Sequence, residues 1–598
     1  MTLGLSSCSL SSYKASADHE IIKLLDDKTS IVPGVSTRHL QLGGKPVARL
    51  EDLEKAVRVE DFLGKIAHTE KGARIVPLAE ALRMAVNRNP TYLGKKETLF
   101  LQALDLTLTR HQFSPIFSAE GSTQVVSSTV AKAGSTTSTS GTILSGNSSS
   151  LSAGSSLNTA IRQNTVTSYG SFGYSQLLQT GAKLTTNFTS DVLRFFTGNL
   201  RGIHDSEFIA SITQPLLKGA GFLATMESLT QAERDMLYSI RDFARYRQQF
   251  TIDISTSYFK VLQAKESVRN SFIGYKALRT NAERAKALFD AGRSTTGMLP
   301  KNSGGVTVGG ADLSGLGQLE QASLNGESTW LTNLQAYQEA LDTFKLDLGL
   351  KADDRVVLDS RELTKLKIDE PALDNKNATE LALSLRLDLL NTKDRYDDAA
   401  RKIKVAKRGL LPSLDLVLGM EAKTTGKHYW RGPDIRHATY GIGPDLQLPL
   451  DQKSVRNVYR ASLIKQDQTE RDYRFAVEGV KKNVLTNTRN LEQAKRQYEI
   501  SEQAVKLSER RLEEEQLNSE LGRGVVRDLL DAQNDVINSK NSRTTALVNH
   551  TLSRLQFWRD LGVLRISDDG AWVEALKQEG EEGFKGSKVQ GSKVKAIQ

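Results

Sequence analysis

The chain has 598 residues, 38% of them hydrophobic, with 12 Pro and a single Cys. One cysteine excludes a disulfide scaffold, an iron–sulfur protein and a thiol-rich zinc site. A net charge of +10 over this length is too thin for the dense basic patch of a nucleic-acid binder. No run approaches 18 consecutive apolar residues, which excludes a transmembrane helix but not a membrane β-barrel, whose strands are short and only alternate.

In chain order, the first feature is Leu5-Ser6-Ser7-Cys8, an aliphatic residue and two small ones before the cysteine. It resembles a bacterial lipobox, in which small residues let a peptidase grip extended backbone. Residues 1–8 are read as the remnant of a signal and lipobox with Cys8 as the lipidation site; the alternative is a stray cysteine in a floppy N-terminus. One acyl chain anchors only marginally, so Cys8 would act with a second anchor. Residues 9–76 form an N-terminal segment in which His19-Glu20 lacks the second histidine of a zinc-binding His-Glu-x-x-His, position 23 being Lys.

A short helix is predicted over 77–111, then a strand from Phe113 to Val126. The Ser/Thr/Gly tract 127–167 has too few apolar residues to pack and reads as a long loop. Residues 168–190 are strand-like, and Phe208, Ala210 and Ile212 alternate with Ile209, Ser211 and Thr213. Alternation of an apolar with a polar face is the signature of a barrel wall. A chain that leaves a helix on one side of a membrane and returns to that side crosses an even number of times. Phe113–Val126 and Phe208–Leu217 are therefore taken as the spanning pair, with 168–190 a hairpin at or above the outer surface.

Leu229, Met236, Phe243 and Phe250 follow at intervals of seven, and the pattern resumes as Ile254, Val261, Val268, Tyr275, Ala282 and Phe289. Sustained sevenfold spacing without proline argues for a coiled-coil rod rather than a globular core helix. A Gly-rich stretch, 292–317, and a helix over 318–348 close a first repeat, 77–350. Gly304-Gly305-Val306-Thr307-Val308-Gly309-Gly310 lacks the lysine of a phosphate loop.

After a linker, 351–375, the second repeat spans 376–563. Leu414, Leu416, Leu418 and Met420 alternate with polar neighbours, as do Tyr440, Ile442, Leu446 and Leu448, across a polar join from Ala422 to Ala438. A second rod shows Val477, Val484, Leu491, Tyr498, Val505 and Leu512 at intervals of seven. A turn follows at Gly522-Arg523-Gly524, then Asp528 and Asp531 on one helix face at i, i+3. Residues 564–598 end in a basic tail expected to be disordered. The halves end alike, Phe344-Lys345-Leu346-Asp347-Leu348-Gly349-Leu350 against Phe557-Trp558-Arg559-Asp560-Leu561-Gly562-Val563, which marks a duplication.

This duplication, with Ile212-Thr213-Gln214-Pro215-Leu216-Leu217-Lys218-Gly219 and Leu521-Gly522-Arg523-Gly524-Val525-Val526-Arg527-Asp528-Leu529-Leu530-Asp531-Ala532-Gln533, resembles the TolC family of outer-membrane efflux proteins. The resemblance runs from about residue 77 to 563 and points to a lipoprotein member. It implies a mainly α fold with membrane β: internally duplicated α-hairpins form a trimeric α-barrel tunnel in the periplasm. Four strands per chain would contribute to a shared 12-stranded outer-membrane β-barrel. Four strands cannot close alone, and open edges in lipid are forbidden, so sharing is a physical requirement. The segments 9–76 and 351–375 would form an equatorial belt.

The implied function is an exit duct of a tripartite efflux or type I secretion system. It would conduct substrate passively from a periplasmic adaptor and an inner-membrane pump of RND or ABC type. Its partners would be two further copies, the adaptor, the pump and outer-membrane lipid, with no nucleic acid, cofactor, metal or enzymatic step. In the family, aspartates at the places of Asp528 and Asp531 ring the periplasmic gate, so a trimer would set six carboxylates around one opening; the alternative is that they only favour a helix start. Gly522, Arg523 and Gly524 would be the tip turn and adaptor contact, although the family usually has Gly-Leu there. A different class of function, a secreted coiled-coil filament protein, also fits long helices but has no use for lipid-facing strands.

Overall fold

The computed structural model describes residues 10–29, 32, 50–56, 60–131, 160–195, 202–290, 313–368, 373–424, 432–521, 526–567 and 570–573. In chain order its principal elements begin with α1 (Leu10–Thr29), β1 (Arg74–Val76), α2 (Leu78–Arg88) and α3 (Pro90–His111). Four strands follow, β2 (Ile116–Ala131), β3 (Ala160–Leu177), β4 (Lys183–Phe195) and β5 (Gly202–Pro215), then α4 (Glu227–Asp290) and α5 (Leu313–Asp347). The second half holds β6 (Val356–Leu358), α6 (Asn375–Leu385), α7 (Leu387–Gly409), β7 (Ser413–Lys423), β8 (Thr439–Gln447), α8 (Lys453–Glu520) and α9 (Val526–Leu561), and ends with β9 (Arg565–Ile566) and β10 (Trp572–Val573). Two compact units result: Met1–Leu104 with Asp235–Asp397 and Gln468–Gln598, and Asp105–Arg234 with Asp398–Asp467.

The first unit is helical. Its rods are the two heptad runs: α4 has 64 residues and α8 has 68, against about 11 for an average helix. At about 1.5 Å per residue each approaches 100 Å. The sevenfold stripe of α4 is the buried one, with Met236, Phe243, Phe250, Ile254, Val261, Val268 and Ala282 all in the core. On α8, Val484, Leu491 and Val505 are buried likewise. Aromatic side chains join α4 to α5: Trp330 stacks on Tyr275 at 5.8 Å and Phe344 meets Tyr258 edge-on at 5.7 Å. Between α8 and α9, Arg511 pairs with Asp535 at 2.7 Å and Lys540 with Glu509 at 2.9 Å. These pairs are about half exposed, so they set register more than they stabilise.

Shorter pieces gather around the rods. β1 pairs in parallel with β6, Arg74 opposite Val356. The Tyr258 hydroxyl donates to the Val76 carbonyl at 3.1 Å, and the Trp330 indole donates to that of Phe62 at 2.8 Å. The residues after α9 pack back on the rods, Leu564, Ile566 and Trp572 clustering with Ile252 of α4 and Leu555 of α9.

The duplication is visible in backbone geometry. Gly349 and Gly562 both adopt positive φ, +69° and +78°. Each terminates its helix with the same bond, Leu350 N–H to Lys345 at 2.9 Å and Val563 N–H to Trp558 at 3.1 Å. Each also abuts the break between two shorter helices. A Cβ on Gly349 would meet the Arg88 carbonyl oxygen at 2.4 Å, and one on Gly562 would meet the Leu385 carbonyl carbon at 3.0 Å. The predicted helix over 77–111 is accordingly two helices, α2 and α3, since Pro90 supplies no N–H and restricts the residue before it.

The two endings differ in charge. Asp560 is buried; its carboxylate accepts from Asn487 Nδ2 at 2.6 Å and Arg559 Nε at 2.9 Å, and lies 3.3 Å from Arg245. Arg245 also faces Asp388, which pairs with the buried Arg386 at 2.9 Å. Burial alone would push the Asp560 carboxyl up, but Arg559, Arg386 and Arg245 outweigh it and hold it below the usual carboxylate range. Asp347, at the matching place, is only half-buried.

The second unit is a single antiparallel sheet in the order β2-β3-β4-β5-β7-β8. This corrects the sequence reading in three respects. Among the described residues the sheet has six strands, not four. Residues 127–131 and 160–167, expected as loop, extend β2 and β3 and pair with each other, Ala131 opposite Ala160. The 168–190 stretch is not a hairpin above the sheet: β3 and β4 run within it, paired along their length with β2 and β5. The first half places four strands in this sheet, an even number. Composition hid the strand ends in 127–167, where Ser, Thr and Gly dilute the alternation; 168–190 reads as strand-like but, counted as one piece, is excluded by the parity rule. At the helical side of this unit, Arg401 reaches Glu227 at 2.7 Å and Asp398 at 2.6 Å, and Arg110 reaches Glu233 at 2.8 Å. The Gly-rich stretch 292–317 and the tail from 574 lie outside the described residues, except that 313–317 already belong to α5.

Candidate functional site

Two places carry the features a conduit needs: the faces of the sheet and the start of α9.

Register decides the faces, because side chains alternate and a slip of one residue would exchange them. One row across the sheet reads Ala119, Phe172, Phe188, Phe208 and Ala422, each opposite the next. A second reads Leu184, Ile212, Leu418 and Ile442. Phe117 stands opposite Tyr174 with ring centroids 5.2 Å apart. These two rows are apolar, while other rows of the same face are mixed, Thr186 standing opposite Ala210 and Ser190 opposite Ser206. The other face carries Glu120, Ser171, Thr189, Glu207 and Lys423 in one row. It also holds two like-charge pairs in direct register, Asp191 opposite Asp205 and Asp415 opposite Asp445. Such pairs are destabilising in an ordinary sheet. Lys423, between Glu207 at 3.4 Å and Glu421 at 2.5 Å, is among the few cations on this face.

Among the described residues β2 pairs only with β3 and β8 only with β7, so each leaves one backbone edge unpaired. An edge of this length in water is an invitation to aggregate, and in lipid it is not tolerated.

The sequence singled out Asp528 and Asp531, and the structure places both exposed in the first turns of α9. Negative charge there is favoured by the helix dipole. Sequence reasoning did not assign a partner to Asp531, whose carboxylate lies 4.0 Å from Arg527 Nε at i, i+4. Arg527 and Asp531, but not Asp528, line a cleft of about 650 Å³ between α4, α5 and α9. Its walls are rich in side-chain amides, Gln318, Gln321 and Asn325 from α5 facing Asn534 and Asn538 from α9. Aligning the two Leu-Gly endings puts Gln318 at the place of Asp531, Gln321 at Asn534 and Asn325 at Asn538. The repeats therefore supply matching polar positions, but the carboxylate stands only in the second. The tip residues Gly522, Arg523 and Gly524, and the lipidation candidate Cys8, lie outside the described residues. Among the described residues no group of His, Cys, Asp and Glu is placed to hold a metal ion, and no helix is long and apolar enough to cross a membrane.

Residues 378–561 match the family described as outer membrane efflux protein. The chain is 23% identical over 355 residues to outer membrane protein TolC of Vibrio cholerae serotype O1, covering 57% of this chain and 74% of that one. Its fold is similar to that of the Campylobacter jejuni CmeC outer membrane channel, with a TM-score of 0.54, 12% identity, and 84% and 89% of the two chains covered. It is likewise similar to the outer membrane protein VceC of Vibrio cholerae, with a TM-score of 0.53, 12% identity, and 81% and 96% covered.

Proposed function

We propose that this chain, which carries an outer membrane efflux protein domain and is similar to TolC, forms the exit duct of an efflux or type I secretion assembly. The observation that carries the reading is the sheet: two apolar rows on one face, acidic rows on the other, and both edges unpaired among the described residues. Such a sheet fits a membrane only as part of a closed wall shared between copies, because unpaired backbone groups in lipid cost several kcal/mol each. The copies have surfaces to meet on. Phe475, Ile500 and Leu507 stand exposed on α8, as do Leu101, Leu104 and Leu108 on α3 and Leu324 and Leu331 on α5. Apolar stripes at helical spacing, left uncovered in one chain, suit packing between copies. A trimer would join them into a periplasmic tunnel, with the sheet in the outer membrane.

Conduction through such a duct needs no catalytic group. Its selectivity is set by the charge around its constrictions. Three copies of Asp528 and Asp531 would form an acidic ring that favours cations, with Arg527 partly neutralising Asp531. The turn 522–524 would meet a periplasmic adaptor, which would couple the duct to an inner-membrane pump. A lipidated Cys8 would add an anchor to the barrel.

The test is fractionation, mild-detergent sizing and planar-bilayer recording. The chain should float with the outer membrane, size as a trimer and open cation-preferring pores. Asp528→Ala with Asp531→Ala should lower the preference for cations and leave trimer formation intact. A monomer in the soluble fraction would overturn the duct, and the filament reading would replace it. Unchanged ion preference in the double variant would remove the gate role alone.

A further inference from the structure

Resting on the duct reading, we propose that the β3–β4 hairpin is a transmembrane insertion that widens the shared wall to eighteen strands, six from each of three copies. The expectation from family resemblance was four strands per chain and twelve in all.

The hairpin has the dimensions and the faces of a wall element. β3 has 18 residues and β4 has 13, and a tilted membrane strand needs about 9–11. At about 3.3 Å per residue and a tilt near 40°, β4 alone rises about 33 Å, more than the apolar band of about 25 Å. Its register continues the apolar row, Phe172 and Phe188 standing between Ala119 and Phe208, and Leu184 begins the next beside Ile212, with Thr186 between the two rows. The opposite positions, Ser171 and Thr189, continue the polar face between Glu120 and Glu207. A hairpin lying free in water above the membrane has no need to match both faces of its neighbours.

The hairpin also crosses the full height. Its turn is closed by Leu178 N–H on the Ala182 carbonyl at 2.8 Å. That turn sits where β5 ends: the Gly221 N–H donates to the Thr180 carbonyl at 3.1 Å, and the Thr180 hydroxyl donates to the Gln214 side chain at 3.3 Å. β3 therefore descends to the level at which β5 passes toward α4, and β4 climbs back.

The two free edges fit each other between copies. β2 runs away from α3, and β8 runs toward α8, so β8 of one copy lies antiparallel to β2 of the next. Six strands are fewer than the eight of a small closed barrel. With strands about 4.8 Å apart, eighteen give a wall about 36 Å across at the backbone, against about 24 Å for twelve. Walls of 16–18 strands leave an aqueous channel. The wider lumen would be lined by the acidic face, with Asp191 opposite Asp205 arising within the added hairpin and its neighbour. Their repulsion is tolerable where water and cations reach them.

The experiment places single cysteines at Phe172, Phe188, Ser171 and Thr189 in the full chain, with Ile212 and Thr213 on β5 as references and the parent chain as the control for Cys8. Trimers are reconstituted in vesicles containing brominated lipid. Cysteines at 171, 189 and 213 should react with a membrane-impermeant maleimide, and fluorophores at 172, 188 and 212 should be quenched by the brominated chains. If 212 and 213 behave this way but all four hairpin sites react freely without quenching, the insertion is wrong and the duct stands. If 212 and 213 also show no contact with lipid, the duct reading itself fails. Electron microscopy of the trimer in nanodiscs counts the strands independently; twelve, or closure by two copies, overturns the proposal.

Discussion

Asp560→Ala should be among the most damaging substitutions outside the apolar core, while Asp347→Ala, at the same place in the first repeat, should be mild. Asp560 is 5% exposed and bound to Asn487 and Arg559, with Arg245 at 3.3 Å. Around it stand three guanidinium groups, Arg245, Arg386 and Arg559, against two carboxylates, Asp388 and Asp560. Removing Asp560 leaves three positive charges to one negative. Breaking a buried pair from one side costs about 3–5 kcal/mol. The Arg245 and Arg559 side chains keep about a fifth of their surface in water, at 21% and 19%, so the lower end applies. Asp347 is half-buried, and its loss should cost no more than about 0.5 kcal/mol. Urea titration of the detergent-solubilised protein, followed by helical circular dichroism, reads the difference. With a slope of about 3 kcal/mol/M, the midpoint falls by about 1 M for Asp560→Ala and scarcely moves for Asp347→Ala. The pH dependence supplies a second readout. A carboxyl held below its ordinary value stabilises above the unfolded pKa, near 3.9, and loses that contribution as pH falls through its folded value. Parent and Asp560→Ala proteins should therefore differ at neutral pH and converge in acid. Equal midpoints for the two alanine variants, or a gap independent of pH, would refute the reasoning.

Three further outcomes follow from the same structure. Gly349→Ala should cost about 2 kcal/mol in the same titration, because φ is +69° and the added Cβ meets the Arg88 carbonyl oxygen at 2.4 Å. Gly479→Ala, inside α8 with no atom within 4 Å of the new Cβ, should instead stabilise by up to about 1 kcal/mol. Phe475→Glu should leave the helical signal of the chain unchanged and shift detergent-solubilised protein from trimer toward monomer on sizing, since Phe475 is 81% exposed in one chain.

Much of this protein was legible from local pattern. A heptad stripe is a property of residues within one helix, so Met236 to Ala282 and Val484 to Val505 announced the two rods and their buried faces before any tertiary contact was known. The paired Asp-Leu-Gly endings announced the duplication for the same reason: a positive-φ glycine that closes a helix is required by local geometry. The strands with aliphatic alternation, around Leu416 and Ile212, were also readable. What the sequence could not carry was anything set by pairing at long range. β3 and β4 intersperse Ser, Thr, Gly and Asn among scattered apolar residues, so their alternation is too faint to place them within the sheet. Only the register that aligns Phe172 and Phe188 with Phe208 shows that they share its face. Asp347 and Asp560 read identically along the chain, and their different surroundings come from Arg245, Arg386 and Asn487, residues distant in sequence that packing brings to one of them. Local periodicity determined the rods and the repeat; the number of strands in the sheet and the partners of each charge were decided by the tertiary structure, because both depend on which distant segments become neighbours.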